Sequence, residues 1–233
     1  MTKLPTDFSP TVFHPFYFNR NGLKKGISLF AGAMTGKMMD FGCGSKPYKT
    51  LFNVEEYIGV DYQNEGHPHD NEQVDIFYDG KTIPLPEEYF DSVLSSEVFE
   101  HVFNLDEILK EIHRVMKEGG KLLITCPFVW NEHEVPNDFA RYSKFALQDI
   151  LQKNGFEIIE FHKSGNFLLT ILQLWNLYWY TIFHKKKGRF FMLRWCYKLF
   201  IILPTNVAGM ILNSILPSND SLYLNNVVLA KKV

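Results

Sequence analysis

Short apolar runs and amphipathic stretches alternate along most of this chain. "KMMDFG" (37–42) is an apolar run ended by glycine, which predicts a buried strand. "EYIGVDY" (56–62) predicts a second, closing on Asp61, and "QVDIFYDG" (73–80) a weaker third. "FDSVLSSE" (90–97), "KLLITCPF" (121–128) and "FEIIEFH" (156–162) continue the series, and "NNVVLAKKV" (225–233) ends it. Between them lie helical patterns. "GLKKGISLFAGAM" (22–34) puts Leu23, Ile27, Phe30 and Met34 on one stripe, after a loop-like start up to Asn21. "NLDEILKEIHRVMKEGG" (104–120) spaces Leu105, Ile108, Leu109, Ile112, Val115 and Met116 helically, with Asn104 as the expected cap and Gly119 as the stop. "SKFALQDILQKNG" (143–155) repeats this recipe, with Ser143 as cap and Asn154-Gly155 as stop.

Strands alternating with helices imply right-handed crossovers and a mainly parallel α/β sheet. From Asn166 the pattern changes. "NFLLTILQLWNLYWYTIF" is almost wholly apolar, basic "HKKKGR" follows, and a second apolar stretch begins at Phe190. Residues 164–223 therefore read as a hydrophobic helical insertion between the sixth and seventh strands, and 1–163 with 224–233 as the α/β domain proper.

Composition narrows the classes. The chain has 233 residues with 46% hydrophobic content and a net charge of −2, so a large core is affordable and a basic nucleic-acid binder is not expected. Three scattered cysteines make no disulfide framework and fit a reducing, cytoplasmic compartment. The N-terminus lacks the basic-then-apolar pattern of a signal peptide. "GHPHD" (66–70) contains two histidines, but with Pro68 between them and no paired ligands nearby it reads as a polar loop, so no metal is expected. His113 falls on the polar side of its helix.

In an open α/β sheet, ligands bind beyond the carboxyl ends of the strands. Gly42 and Gly44 in "DFGCG" would let the turn after the first strand approach a ligand closely. A dinucleotide site wants a third glycine three residues on, and that position is Pro47. S-adenosylmethionine has no phosphate and fits this turn better. Asp40 would lie near its cationic end, Asp61 (followed by Tyr62) would hold the ribose hydroxyls, and Asp79-Gly80 would flank the adenine. Taken one at a time, these acidic residues are equally ordinary strand-end and turn formers.

With "DFGCG", "GVDY", "YFDSVLSSEVFEHV", "EIHRVMKEGGKLLITCPF" and "KNGFEI" in this order, the chain resembles the class I S-adenosylmethionine-dependent methyltransferases over roughly residues 20–162 and the last strand. The resemblance implies a Rossmann-like seven-stranded sheet of order 3-2-1-4-5-7-6. It adds Cys43 to the cofactor turn, Ser96 and Glu97 to the methionine side of the pocket and His101 to its mouth.

Methyl transfer is an in-line displacement, and a general base is needed only if the acceptor loses a proton. "WNEHEVPNDFARY" (130–142) offers His133 as that base, Glu134 or Asp138 to orient or replace it, and Arg141 to hold an acceptor phosphate or carboxylate. The structural alternative is an Asp138–Arg141 ion pair that pins the loop, with His133 a surface side chain. The stretch also resembles segments in a bacterial branch linked to cell-surface glycan and polysaccharide biosynthesis, which implies a glycan or lipid-linked small-molecule acceptor. The insertion leaves three readings open: an element lying on the inner membrane surface, a soluble cap or homodimer surface, or a spanning hairpin. Gln173 and Asn176 count against spanning. Trp175, Tyr178, Trp179, Trp195 and the Lys185–Lys187 run suit an interfacial anchor.

Overall fold

The computed structural model describes residues 8–62, 73–184 and 191–233. Seven strands form one sheet: β1 (Lys37–Phe41), β2 (Glu56–Tyr62), β3 (Ile76–Tyr78), β4 (Phe90–Ser96), β5 (Met116–Pro127), β6 (Phe156–Ser164) and β7 (Asn225–Lys232). Their order is β3-β2-β1-β4-β5-β7-β6. The first five pair in parallel, and β7 runs antiparallel to both β5 and β6. This is the order the resemblance implies.

The period-2 alternation of each strand divides the core. Met39 and Phe41 of β1, Val93 of β4, Leu122 and Ile124 of β5 and Val228 of β7 face one layer. Helices α2 (Leu105–Val115) and α3 (Lys144–Lys153) cover that layer through Ile108, Leu109, Ile112, Leu147 and Leu151. Met38, Leu94, Leu123, Val227 and Leu229 face the other, where α1 (Tyr17–Phe30) contributes Leu23, Ile27 and Phe30. Asp40 alternates with Met39 and Phe41, so it shares the α1 side of β1.

Three local expectations need correction. Helix α1 starts at Tyr17, four residues before the expected end of the loop, and Met34 lies beyond its end although it is buried. The early start is tertiary in origin: the Asn19 backbone N–H, which a first helical turn leaves without a partner, donates to Gln173 Oε1 at 3.1 Å. Asn104 precedes α2, but its side chain does not cap the helix. Instead its amide donates to Glu107 Oε2 and to the Gly80 carbonyl. Gly119 does not stop α2, because the helix ends at Val115 and Gly119 already belongs to β5. Ser143 does cap α3, accepting from Ala146 N.

Between β6 and β7 the chain forms α4 (Phe167–His184), α5 (Phe191–Tyr197), a π turn (Lys198–Ile202) and α6 (Leu203–Ile215). Helix α4 packs on α1 and α6. Thr170, Gln173 and Asn176 of α4 and Asn206 of α6 are fully buried. Gln173 Nε2 donates to the Pro15 carbonyl at 2.9 Å, Asn176 donates to Asn206 Oδ1 at 2.8 Å, and Asn206 donates to the Val12 and His14 carbonyls. The outward face is apolar: Ile171, Trp175, Tyr178, Trp195, Phe200, Met210, Ile211 and Ile215 are all exposed. From Trp195 to Ile215 the helical run is 21 residues, long and apolar enough to cross a membrane. The "GHPHD" loop and the Lys185–Lys187 run lie outside the described residues.

Candidate functional site

A cavity of about 260 Å³ opens where β1 and β4 end and the chain leaves the sheet. Asp40, Gly42, Cys43, Gly44, Ser96 and Glu97 line it, so six of the residues singled out in the sequence meet in one place. Phe8, Arg20, Ser45, Pro47 and Tyr48 complete the wall.

The turn after β1 is built by packing on both sides. Gly42 has φ +72°, and a Cβ there would lie 2.3 Å from Val98 Cγ2. Only glycine meets both demands. Behind the turn, a Cβ at Gly59 of β2 would strike Lys46 Cε at 2.3 Å and Cys43 Sγ at 2.6 Å. That vacated space lets the buried Lys46 ammonium reach Asp75, whose carboxylate also accepts from the Gly59 N–H at 2.6 Å. Asp61 is not in the cavity wall. Its carboxylate accepts from Gly44 N and Tyr62 N, both at 2.8 Å, and so braces the outer side of the turn. Tyr62 packs on Tyr78 and lies against Gly80, while Asp79 closes its own turn by accepting from Lys81 N and Thr82 N. Asp61, Tyr62, Asp79 and Gly80 thus gather at the ends of β2 and β3, beside the cavity rather than in it.

The electrostatics of the cavity favour a positive ligand. Burial pushes the Asp40 carboxyl up to about 7, against a 2.6 Å hydrogen bond from Tyr57 that opposes the rise. Burial likewise raises Glu97, although Thr125 donates to it at 2.9 Å. Ser96 joins the same chain through Thr125 at 2.9 Å. Glu97 also holds a strained backbone, φ +57°. Carboxyls that resist ionisation in this way are stabilised when a cation enters. Arg20, on the opposite wall, stacks over Phe8 at 4.6 Å and offers a guanidinium to a carboxylate. S-adenosylmethionine, with its ammonium, sulfonium and carboxylate, has the charges that this lining complements.

One turn further on, Glu100 and His101 meet the loop after β5. His133 and His101 contact edge to face, 4.7 Å between centroids. Arg141 is committed to Asp138, at 2.6 and 2.7 Å, and to the carbonyls of Asn131 and Ala140. This is the ion pair of the structural alternative, and it holds Asp138 below the usual carboxylate range, chiefly through the Arg141 hydrogen bonds. Asp138 also accepts from the His133 backbone N–H. His133 is half-buried with its imidazole pushed below 6.5, first by burial and then by His101. Glu134 is largely exposed, with φ +51°.

Sequence reasoning missed Arg20, Tyr48 and Glu100. Arg20 comes from a segment that carries no motif, and Tyr48 follows the glycine turn at a position to which the motif assigns no role. Glu100 sits in the quoted "SEVFEHV", where it reads as a solvated charge, yet it is fully buried.

Comparison with known proteins agrees with this geometry. Residues 39–124, which hold the glycine turn, β2, β4 and most of β5, match the family described as "Methyltransferase domain". This stretch is similar to a methyltransferase domain. A probable S-adenosylmethionine-dependent methyltransferase of Mycolicibacterium smegmatis is 26% identical over 144 residues, 55% of this chain and 56% of that protein. The human mitochondrial ubiquinone biosynthesis O-methyltransferase is 29% identical over 155 residues, covering 52% and 42%. The chain therefore spans about half the length of the curated relatives it matches. A Haemonchus contortus phosphoethanolamine N-methyltransferase, solved with S-adenosylhomocysteine, superposes with a TM-score of 0.53 at 18% identity, over 91% of this chain and 52% of that one. The sheet order is that of the class I methyltransferase fold, whose cofactor is S-adenosylmethionine. The matched stretch shares this sheet with the rest of the chain, since β6 and β7 lie outside the matched residues and complete it.

Proposed function

We propose that this protein transfers the methyl group of S-adenosylmethionine to a hydroxyl of a glycan or lipid-linked intermediate at the inner surface of the membrane. The observation that carries the donor half is the cavity lined by Asp40 and Glu97, two carboxyls raised by burial and flanking a glycine turn. Bound there, the cofactor supplies an activated methyl on a positive sulfur. Asp40 and Glu97 compensate the cationic groups, Arg20 meets the carboxylate, and Asp61 and Tyr62 bound the nucleoside side. Glu100, His101 and His133 stand after β4 and β5, where an acceptor hydroxyl can lose its proton.

The acceptor half is supported by the inverted polarity of the insertion. A helix packed on a protein body buries its apolar stripe and shows water its polar one. Helices α4 and α6 do the reverse, so their outward face is matched to hydrocarbon. Basic residues Lys185, Lys186, Lys187 and Arg189 follow α4 in the sequence and complement anionic lipid headgroups. Because Gln173, Asn176 and Asn206 tie the helices to the N-terminal segment, the helices lie along the membrane surface instead of spanning it.

Calorimetry with S-adenosylhomocysteine and with NAD tests the donor reading, which expects binding of the first and not the second. Flotation on anionic against zwitterionic vesicles tests the surface. Membrane association only as a consequence of dimerisation, seen by sedimentation with detergent-free protein, would assign the apolar face to a second copy instead.

A further inference from the structure

We propose that Glu100, His101 and His133 form a binding site for one divalent transition-metal ion beside the methyl-donor cavity. One ligand atom from each lies within 4.8 Å of the others. Glu100 has no exposed surface, and neither of its carboxylate oxygens has a hydrogen-bond partner. Its Oε1 stands 3.7 Å from His101 Nε2 and 3.9 Å from His133 Nε2. Those separations are too long for hydrogen bonds. They lie a few tenths of an ångström above the roughly 3.4 Å at which ligands ~2.0–2.2 Å from an ion with tetrahedral angles sit, so a small inward shift of the side chains lets them share one ion.

The tautomers agree. His101 Nδ1 is 2.6 Å from the Asn137 carbonyl, which only accepts, so the proton is on Nδ1 and the lone pair of Nε2 faces Glu100. His133 Nδ1 has two acceptors, the Asn131 carbonyl at 3.2 Å and Asp138 Oδ2 at 3.4 Å, against one donor, Arg141 Nη2 at 3.4 Å; the balance of acceptors puts the proton on Nδ1 and frees Nε2. Metal-ligating histidines characteristically anchor their second nitrogen on such carbonyls or carboxylates. Arg141 acts one layer out as a positioning residue. It holds both Asp138 and the Asn131 carbonyl, and therefore the orientation of His133. Glu134 Oε2, 3.8 Å from His101 Nε2, is an additional oxygen at the exposed rim.

Two imidazoles and a carboxylate suit Zn²⁺, Mn²⁺, Fe²⁺ or Co²⁺ rather than Ca²⁺. Three protein ligands leave a coordination position open, as sites that act on a substrate do. On the functional reading above, a metal held there would lower the pKa of the acceptor hydroxyl, whose proton would leave to water; the oxygen would then form its bond to the methyl as the methyl–sulfur bond breaks and S-adenosylhomocysteine leaves. Metal binding itself does not depend on that reading.

Untagged protein, stripped with a chelator, tests the site. S-adenosylhomocysteine calorimetry first shows that the stripped protein is folded and the donor cavity intact. Co²⁺ titration followed by visible absorption, and Zn²⁺ calorimetry, are expected to give one ion per chain. His101→Ala, His133→Ala and the near-isosteric Glu100→Gln should each weaken binding at least tenfold while S-adenosylhomocysteine binding persists. His113→Ala, on α2, should change neither. The proposal is overturned if stripped wild-type protein with intact cofactor binding takes up no divalent ion at millimolar concentration, or if His133→Ala and Glu100→Gln bind the ion unchanged. Loss of cofactor binding in wild-type protein would instead count against the donor reading.

Discussion

Arg141 holds Asp138 through two guanidinium nitrogens, at 2.6 and 2.7 Å, and the pair reaches His133 from both its backbone and its ring. A lysine cannot reproduce this fork. Arg141→Lys is therefore expected to lower turnover by about tenfold or more, with little change in S-adenosylhomocysteine affinity. Steady-state kinetics beside calorimetry checks the split. Equal loss of both would mean that Arg141 serves the donor cavity.

Asp40 makes donor binding depend on pH. Its carboxyl is raised to about 7 in the folded chain, with Tyr57, Asp61, Lys46 and Cys43 as its charged or titratable neighbours. The unfolded chain would release that proton near pH ~4. The folded state thus holds more protons between ~4 and ~7, so this group's contribution to stability falls as pH rises through that window. A cationic ligand stabilises the ionised form and reverses the trend. The gain in melting temperature from S-adenosylmethionine should be larger at pH 8 than at pH 6. Asp40→Asn should stabilise the ligand-free protein at pH 8 and weaken ligand binding at least tenfold. Thermal scans at both pH values with and without ligand decide it.

At Gly42, any side chain faces both a positive φ and Val98 Cγ2. Gly42→Ala should cost about 1–3 kcal/mol in stability and abolish cofactor binding. Gly42→Ala with Val98→Ala should recover part of the stability, because the steric conflict is removed while the backbone strain stays. Denaturant unfolding of the three proteins measures this.

The inverted insertion makes an unusual contrast. Gln173→Leu would leave the Asn19 N–H and Pro15 carbonyl without their partner in a buried site, and should destabilise the fold by roughly 1–3 kcal/mol despite making α4 more apolar. Trp175→Glu and Ile211→Glu place charge on the exposed face and should leave the fold intact while reducing vesicle flotation severalfold. Unfolding midpoints and flotation of the same variants give the answer. The opposite ranking of stabilities would mean that α4 is oriented as an ordinary amphipathic helix.

Much of this molecule is legible from its residues in order. Strand and helix positions follow from periods of 2 and 3.6, because each element must bury one face locally, and the glycine turn follows from the residue types that a tight approach demands. Asp40, Gly42 and Gly44 could be gathered from such patterns since they lie at or just beyond the end of a strand, whereas Cys43, Ser96 and Glu97 came with the family resemblance. What pairing across the fold decided is of another kind. Glu100 reads as a surface charge until β4 and the loop after β5 close over it. His101 and His133 become neighbours only through the sheet. Arg20 enters the cavity from a segment without motif, and Tyr48 from just past the glycine turn. Gln173 and Asn176 look like interruptions of an apolar helix until the N-terminal loop supplies carbonyls for them. A side chain's local pattern states what it can bury or bond, but its partner and its solvent are set by contacts between residues distant in the chain, and those exist only once the chain has folded.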